Sequence, residues 1–89
     1  MNPYRQILDY WGLDKQINQV SEECAELIIA LNKWRRAPDD KKPDKMTIAE
    51  EIADVQIMLE QMKEAFGCDF LVESLIEQKL ERTLKRMEE

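Results

Sequence analysis

Six acidic residues in two short stretches could do chemistry together: Glu22, Glu23 and Glu26 in SEECAEL (residues 21–27), and Glu50, Glu51 and Asp54 in AEEIADV (residues 49–55). In each stretch two carboxylates stand three residues apart, Glu23 with Glu26 and Glu51 with Asp54, within text otherwise rich in Ala, Ile, Val and Leu. Residues at that spacing are neighbours on a helix surface, so each pair presents its oxygens together. Four carboxylates converging in a low-dielectric cleft repel one another unless cations intervene. Mg²⁺ and Mn²⁺ prefer oxygen ligands and would resolve the conflict. Ions held this way bridge phosphate oxygens and lower the pKa of a bound water. Glu23, Glu26, Glu51 and Asp54 are therefore the candidate metal ligands. The alternative is a solvated acidic flank neutralised by nearby Lys and Arg. Against it, neither pair meets a basic residue at i+3 or i+4: Glu23 meets Glu26 and Leu27, and Asp54 meets Ile57 and Met58.

Composition removes several other chemistries. The 89 residues contain no His, which excludes a His base, a His-bound zinc and a Ser-His-Asp triad. A net charge of -6 argues against a nucleic-acid polymer or a membrane surface as partner, since binders of either neutralise phosphate with excess Lys and Arg. A nucleotide whose phosphates are bridged by metal is still allowed. Cys24 and Cys68 have neither zinc-ligand spacing nor the density of a disulfide scaffold, and Cys24 reads as a buried free thiol. Met1-Asn2-Pro3-Tyr4-Arg5-Gln6 is not an apolar leader, and no run approaches the roughly 20 apolar residues of a membrane span. A cytoplasmic protein is the expectation.

The elements that must position the carboxylates are helices. Two Gly and three Pro, with abundant Glu, Lys, Leu, Ile and Met, is helical composition, and no alternating strand pattern occurs. One domain spanning 1–89 is expected, small enough that oligomerisation is a natural way to add apolar burial. A first helix is expected from Pro3 to about Trp11, ending at Gly12. A second should follow Asp14 as N-cap, carry Ile17, Val20, Cys24, Leu27, Ile28, Leu31 and Trp34 as its core stripe, and end near Arg35-Arg36. Residues 37–46, with two prolines and six charges, read as a loop. Thr47 and Glu50 form a capping box for a third helix with the stripe Ile48, Ile52, Val55, Leu59, Met62 and Phe66, stopped by Gly67. Asp69 is the expected cap of a fourth, from Phe70 to Met87, with Leu71, Leu75, Ile76, Leu80, Leu84 and Met87 on its apolar side. The fold class expected is all-α: four helices, mostly antiparallel, in a bundle completed by oligomerisation.

Helical geometry allows the two acidic stretches to meet. On the second helix the apolar stripe centres roughly 80° from Glu23, and on the third roughly 60° from Glu51, with Glu26 and Asp54 each about 60° to the far side. Offsets of the same sense fall on one side of an antiparallel pair, and a short connection favours antiparallel neighbours. Axially, the first pair lies about 17 Å from the loop end of its helix and the second about 8 Å, so a stagger or a folded-back loop must absorb the difference.

Glu22-Glu23-Cys24-Ala25-Glu26 with Glu51-Ile52-Ala53-Asp54, an EExxE followed by ExxD, resembles the MazG-like all-α nucleoside triphosphate pyrophosphohydrolases. That superfamily includes dimeric dUTPases, phosphoribosyl-ATP pyrophosphohydrolases and dCTP pyrophosphatases. The similarity runs from Gln16 through Lys33 and from Ala49 to Leu59, with a basic last helix. It implies Mg²⁺-dependent cleavage of a (d)NTP between the α- and β-phosphates, giving a nucleoside monophosphate and pyrophosphate. Glu23, Glu26, Glu51 and Asp54 match the family's Mg²⁺ ligands, and Glu22 an additional acid that assists them or orients water. Either Glu23 or Glu26 would help deprotonate the attacking water. The resemblance further implies a homodimer or homotetramer. Gln56-Ile57-Met58-Leu59 lacks the His that phosphoribosyl-ATP hydrolases carry after ExxD, and dimeric dUTPases are longer, so a short stand-alone MazG-like enzyme fits best. The reading from another class is a non-catalytic helical oligomerisation or regulatory module with an acidic face.

Substrate contacts have several candidates. Lys79, Arg82 and Arg86 recur on one face of the last helix and would contact the β- and γ-phosphates, or else complement the helix C-terminus and pair with Glu81. Lys33, nearly two turns beyond Glu26, is a further phosphate contact. Trp11 and Trp34 would stack on a base or serve as core or interface. Gln16, Gln19 and Asn32 would read a base edge.

Overall fold

The computed structural model describes residues 2–89, and its helices follow from their ends. Asn2 accepts hydrogen bonds from the Tyr4 and Arg5 amides (2.8 and 3.4 Å), Pro3 takes the first helical position, and helix α1 runs Pro3–Trp11. Gly12, at φ 91°, turns the chain, and α2 (Leu13–Arg36) begins at once. Asp14 is therefore not the cap of α2. It lies in the first turn, where its charge still suits the helix dipole.

The connection to the third helix contains a 3₁₀ turn, Asp39–Lys41. Helix α3 (Lys45–Phe66) starts two residues before Thr47, because the Asp44 side chain accepts the Met46 amide at 2.9 Å. Asp caps at least as well as Thr, and Lys45 and Met46 are good helix formers, so the earlier start wins. Gly67 adopts left-handed φ 59°, and the Gly67 and Cys68 amides both reach the Lys63 carbonyl, ending α3 as its position suggested. Helix α4 (Asp69–Met87) follows Cys68 with no side-chain cap. Asp69, expected as that cap, sits in the first turn and pairs with Lys63 at 3.2 Å. The described residues thus form four α-helices and no strand, and no helix is long and apolar enough to cross a membrane.

Helices α2 and α3 make the principal packing contact, and α1 lies against both. Arg5 ties α1 to the far end of α3 through the Glu64 carboxylate (3.3 Å) and carbonyl (3.1 Å). The α2–α3 seam is legible in burial. Gln16, Val20, Glu23, Leu27 and Ala30 on α2, and Ile48, Glu51, Val55, Met58, Met62 and Ala65 on α3, are buried or half-buried at alternating spacings of three and four. That is the repeat of knobs-into-holes packing.

The expected stripes face each other only in part: Val20 and Leu27 on α2 and Ile48, Val55 and Met62 on α3 lie in the seam, and the rest do not. Ile17, Ile28, Leu31 and Trp34 on α2, and Ile52, Leu59 and Phe66 on α3, are 40–63% exposed. Each helix is rolled so that Glu23 and Glu51 enter the seam and the more apolar flank turns outward. The apolar arc of each helix is wider than one partner helix can cover. Cys24, expected to be buried, is half-buried for the same reason.

Helix α4 contacts only α3 and leaves Leu71, Leu75, Ile76, Leu80, Leu84 and Met87 exposed. The radius of gyration is 16.5 Å, against about 12 Å for a compact chain of this length.

Candidate metal and phosphate site

Rolling the helices places the acidic stretches together. Glu23, Glu51 and Asp54 each offer a carboxylate oxygen, and the three oxygens lie within 4.8 Å of one another. Glu23 Oε2 and Glu51 Oε2 are buried and have no hydrogen-bond partner. A buried carboxylate oxygen with no donor is costly, and here two stand close together. Glu26 completes the group on the solvent side. Its pKa is raised above the ordinary 4.5, first by the charge of Glu23, then by desolvation, a hydrogen bond with Glu23, and the charges of Glu51 and Asp54. All four expected ligands therefore converge, three as a tight set and Glu26 beside them. Glu22 and Glu50 face solvent outside the set.

The donor set fits a hard divalent cation: the converging atoms are all carboxylate oxygens, and Glu23 and Glu51 each hold a buried oxygen without a partner. Gln19 Nε2 donates to Glu23 Oε1 at 2.8 Å, and Oε2 is left buried without a partner. Gln19 thus orients a candidate ligand, whereas from sequence it was expected at a base edge. The i,i+4 spacing of Gln19 and Glu23 was the available signal.

A cleft of about 220 Å³ opens beside the carboxylates, lined by Glu26, Ile29, Ala30, Lys33, Pro43, Thr47 and Glu51. Along it α2 runs from Glu26 to Lys33, while α3 runs back from Glu51 to Thr47 and the preceding loop continues to Pro43, so the two helices are antiparallel. Lys33, expected as a phosphate contact, is the one basic residue in this lining. The connecting loop supplies the axial correction. Lys42 Nζ donates to the Trp34 and Ala37 carbonyls at 2.8 and 2.9 Å and stands 4.1 Å from the Trp34 ring centre. The loop is thereby folded back along the end of α2, and Glu51 comes level with Glu26.

Trp11 is half-exposed, edge-on to Tyr10 at 4.6 Å, and lines a separate cleft of about 400 Å³ with Ile7, Lys15, Gln16 and Gln19. Gln19 belongs to this cleft and to the carboxylate cluster alike, so the two adjoin. Trp34 is held by Lys42 and lines a different cleft, with Leu31, Met46 and Ile52. Lys79, Arg82 and Arg86 are exposed on α4, which touches only α3, and none lines the carboxylate cleft. Compared with known proteins, the chain matches no family model, no curated protein and no solved structure.

Proposed function

We propose that this chain is a Mg²⁺-dependent nucleoside triphosphate pyrophosphohydrolase of the MazG-like kind, converting a (d)NTP and water to a (d)NMP and pyrophosphate. The observation that carries the reading is the cluster of Glu23, Glu51 and Asp54 oxygens within 4.8 Å, two of the cluster's carboxylates holding a buried, unpartnered oxygen. In this reading the three residues bind Mg²⁺, for which Mn²⁺ can substitute. The bound cation supplies neutralisation of phosphate charge and acidification of water. Glu26, exposed and with a raised proton affinity, takes the proton of the attacking water, a role for which Glu23 is less suited with Oε1 committed to Gln19. Lys33 meets phosphate in the cleft, and the Trp11 cleft receives the base. Lys79, Arg82 and Arg86 reach substrate only in a dimer or tetramer, which belongs to this reading together with a bundle closed between chains.

Incubation with a panel of dNTPs and NTPs, with and without Mg²⁺, tests the proposal. Pyrophosphate release from at least one nucleotide is expected, and Glu26→Gln and Asp54→Asn should abolish it while helicity stays intact. No release from any nucleotide sinks the proposal, and activity retained in both variants shows that the roles are misassigned. The non-catalytic oligomerisation module draws its support from the exposed apolar flank of α2 and α3. It expects Mn²⁺ to leave Tm unchanged. The metal site expects Tm to rise, because a cation that binds only the folded chain stabilises it.

A further inference from the structure

Gln19 stands where the Trp11 cleft meets the carboxylate cluster. Its Nε2 donates to Glu23 Oε1 at 2.8 Å, and the other oxygen of Glu23 is buried without a partner. Gln19 also lines the cleft of about 400 Å³ that holds Trp11. Among the residues lining that cleft, it is the one bonded to a carboxylate of the cluster. We infer that Gln19 is a positioning residue that couples the Trp11 cleft to the metal ligands, so that a nucleobase in the cleft and a divalent cation on Glu23 each tighten the binding of the other. The inference rests on the reading of the cluster as a Mg²⁺ site and of the cleft as the base site.

The cleft carries its own mark of a ligand. Gln16 lines it and is only 7% exposed, yet its carboxamide enters no hydrogen bond among the described residues. A polar group so far withdrawn from water is expected to have a partner. Trp11, half-exposed, offers an indole ring at the same place. An aromatic surface with amides beside it suits a flat, hydrogen-bonding heterocycle.

The sign of the coupling follows from what each ligand does to Gln19. A cation drawn to Glu23 Oε2 leaves Oε1 to accept from Gln19, and hydrogen bonds of this kind orient metal-ligating carboxylates. A glutamine side chain is flexible, and holding it in one rotamer costs conformational entropy. The cation holds the Nε2 end through Glu23. A base holds the same side chain at Oε1, which accepts no hydrogen bond among the described residues. Whichever ligand binds first meets the ordering cost, and the second finds Gln19 already placed. A hydrogen bond accepted at Oε1 also polarises the amide and strengthens its donation to Glu23. The coupling is therefore positive. A nucleotide helps to assemble the metal site at which it is cleaved, whereas free triphosphate leaves the cleft empty and gains nothing from Gln19.

Nucleosides test the coupling, because without phosphates they cannot bridge to the cation. Mn²⁺ binding is followed by electron paramagnetic resonance of the free ion, and nucleoside binding by tryptophan fluorescence, across a panel of ribo- and deoxyribonucleosides. In the wild-type chain at least one nucleoside should bind and raise Mn²⁺ affinity about fivefold or more, and saturating Mn²⁺ should raise that nucleoside's affinity by the same factor. Gln19→Met and Gln19→Ala both keep a good helix former at the position. In each, both ligands should still bind and the factor should fall to about one. A purely structural role for Gln19 would lower both affinities and leave the factor intact, which overturns the inference. Variants that lose either ligand outright overturn it as well, since a coupling residue is not itself a ligand. So do a wild-type chain that binds the two independently and one that binds no nucleoside. A chain that binds no Mn²⁺ fails one step earlier, at the metal site itself, and takes the inference with it.

Discussion

Glu26 feels the charge of the carboxylate cluster. Its proton affinity is raised chiefly by the charge of Glu23, with Glu51 and Asp54 adding to it. A carboxyl whose folded pKa lies above its unfolded value binds protons more tightly in the folded chain. Stability therefore falls as pH rises from about 4.5 through the folded pKa, and the penalty is fully present above it. Melting curves across that window without divalent ions should show Glu26→Gln losing less stability than wild type, because the substituted amide carries no charge. Equal slopes would mean that Glu26 is not strained by its neighbours. The cluster also illustrates what residue types alone reveal. The two carboxylate pairs and their shared side are readable from spacing, whereas the clamp of Gln19 on Glu23 needs a rotamer to recognise it.

At the scale of elements, most of what can be read locally is read correctly. Pro3, Gly12 and Gly67 bound their helices because ring constraint and left-handed backbone act within a residue or two. Two of the three caps misplaced by sequence have two suitable residues close together, and the third, Asp69, sits in the first turn of α4, where it pairs with Lys63. Asp44 outcompetes Thr47, and Gly12 starts α2 before Asp14 is reached. The loop between α2 and α3 was beyond such reading, since its course depends on one side chain. Lys42 caps the last carbonyls of α2 with its charge and stacks on Trp34. Lys42→Met should remove about 1 kcal/mol and lower Tm by roughly 5 °C. The Mn²⁺-induced rise in Tm should survive, because the carboxylates are held by the seam. An unchanged Tm would show that the loop is held by something other than Lys42.

The whole molecule is extended, 44 × 36 × 20 Å, with an apolar face open and α4 projecting. If a second copy covers that face, folding and association are one equilibrium, and Tm depends on concentration. Diluting the chain tenfold withdraws about 1.4 kcal/mol per dimer, enough to lower Tm by several degrees. A Tm constant over about a hundredfold dilution would identify a monomer that folds alone. Helix identities, the stop at Gly67 and the two ExxE/ExxD carboxylate pairs were determined by sequence alone, because each depends on residues no more than a turn apart. Tertiary structure decided which arc of α2 faces α3, and with it whether Glu23 and Glu51 flank the seam or enter it. The physical reason is the breadth of the apolar arcs. When more apolar surface exists than one seam can bury, several rolls of a helix are compatible with the pattern, and packing against α1 and α3 selects among them.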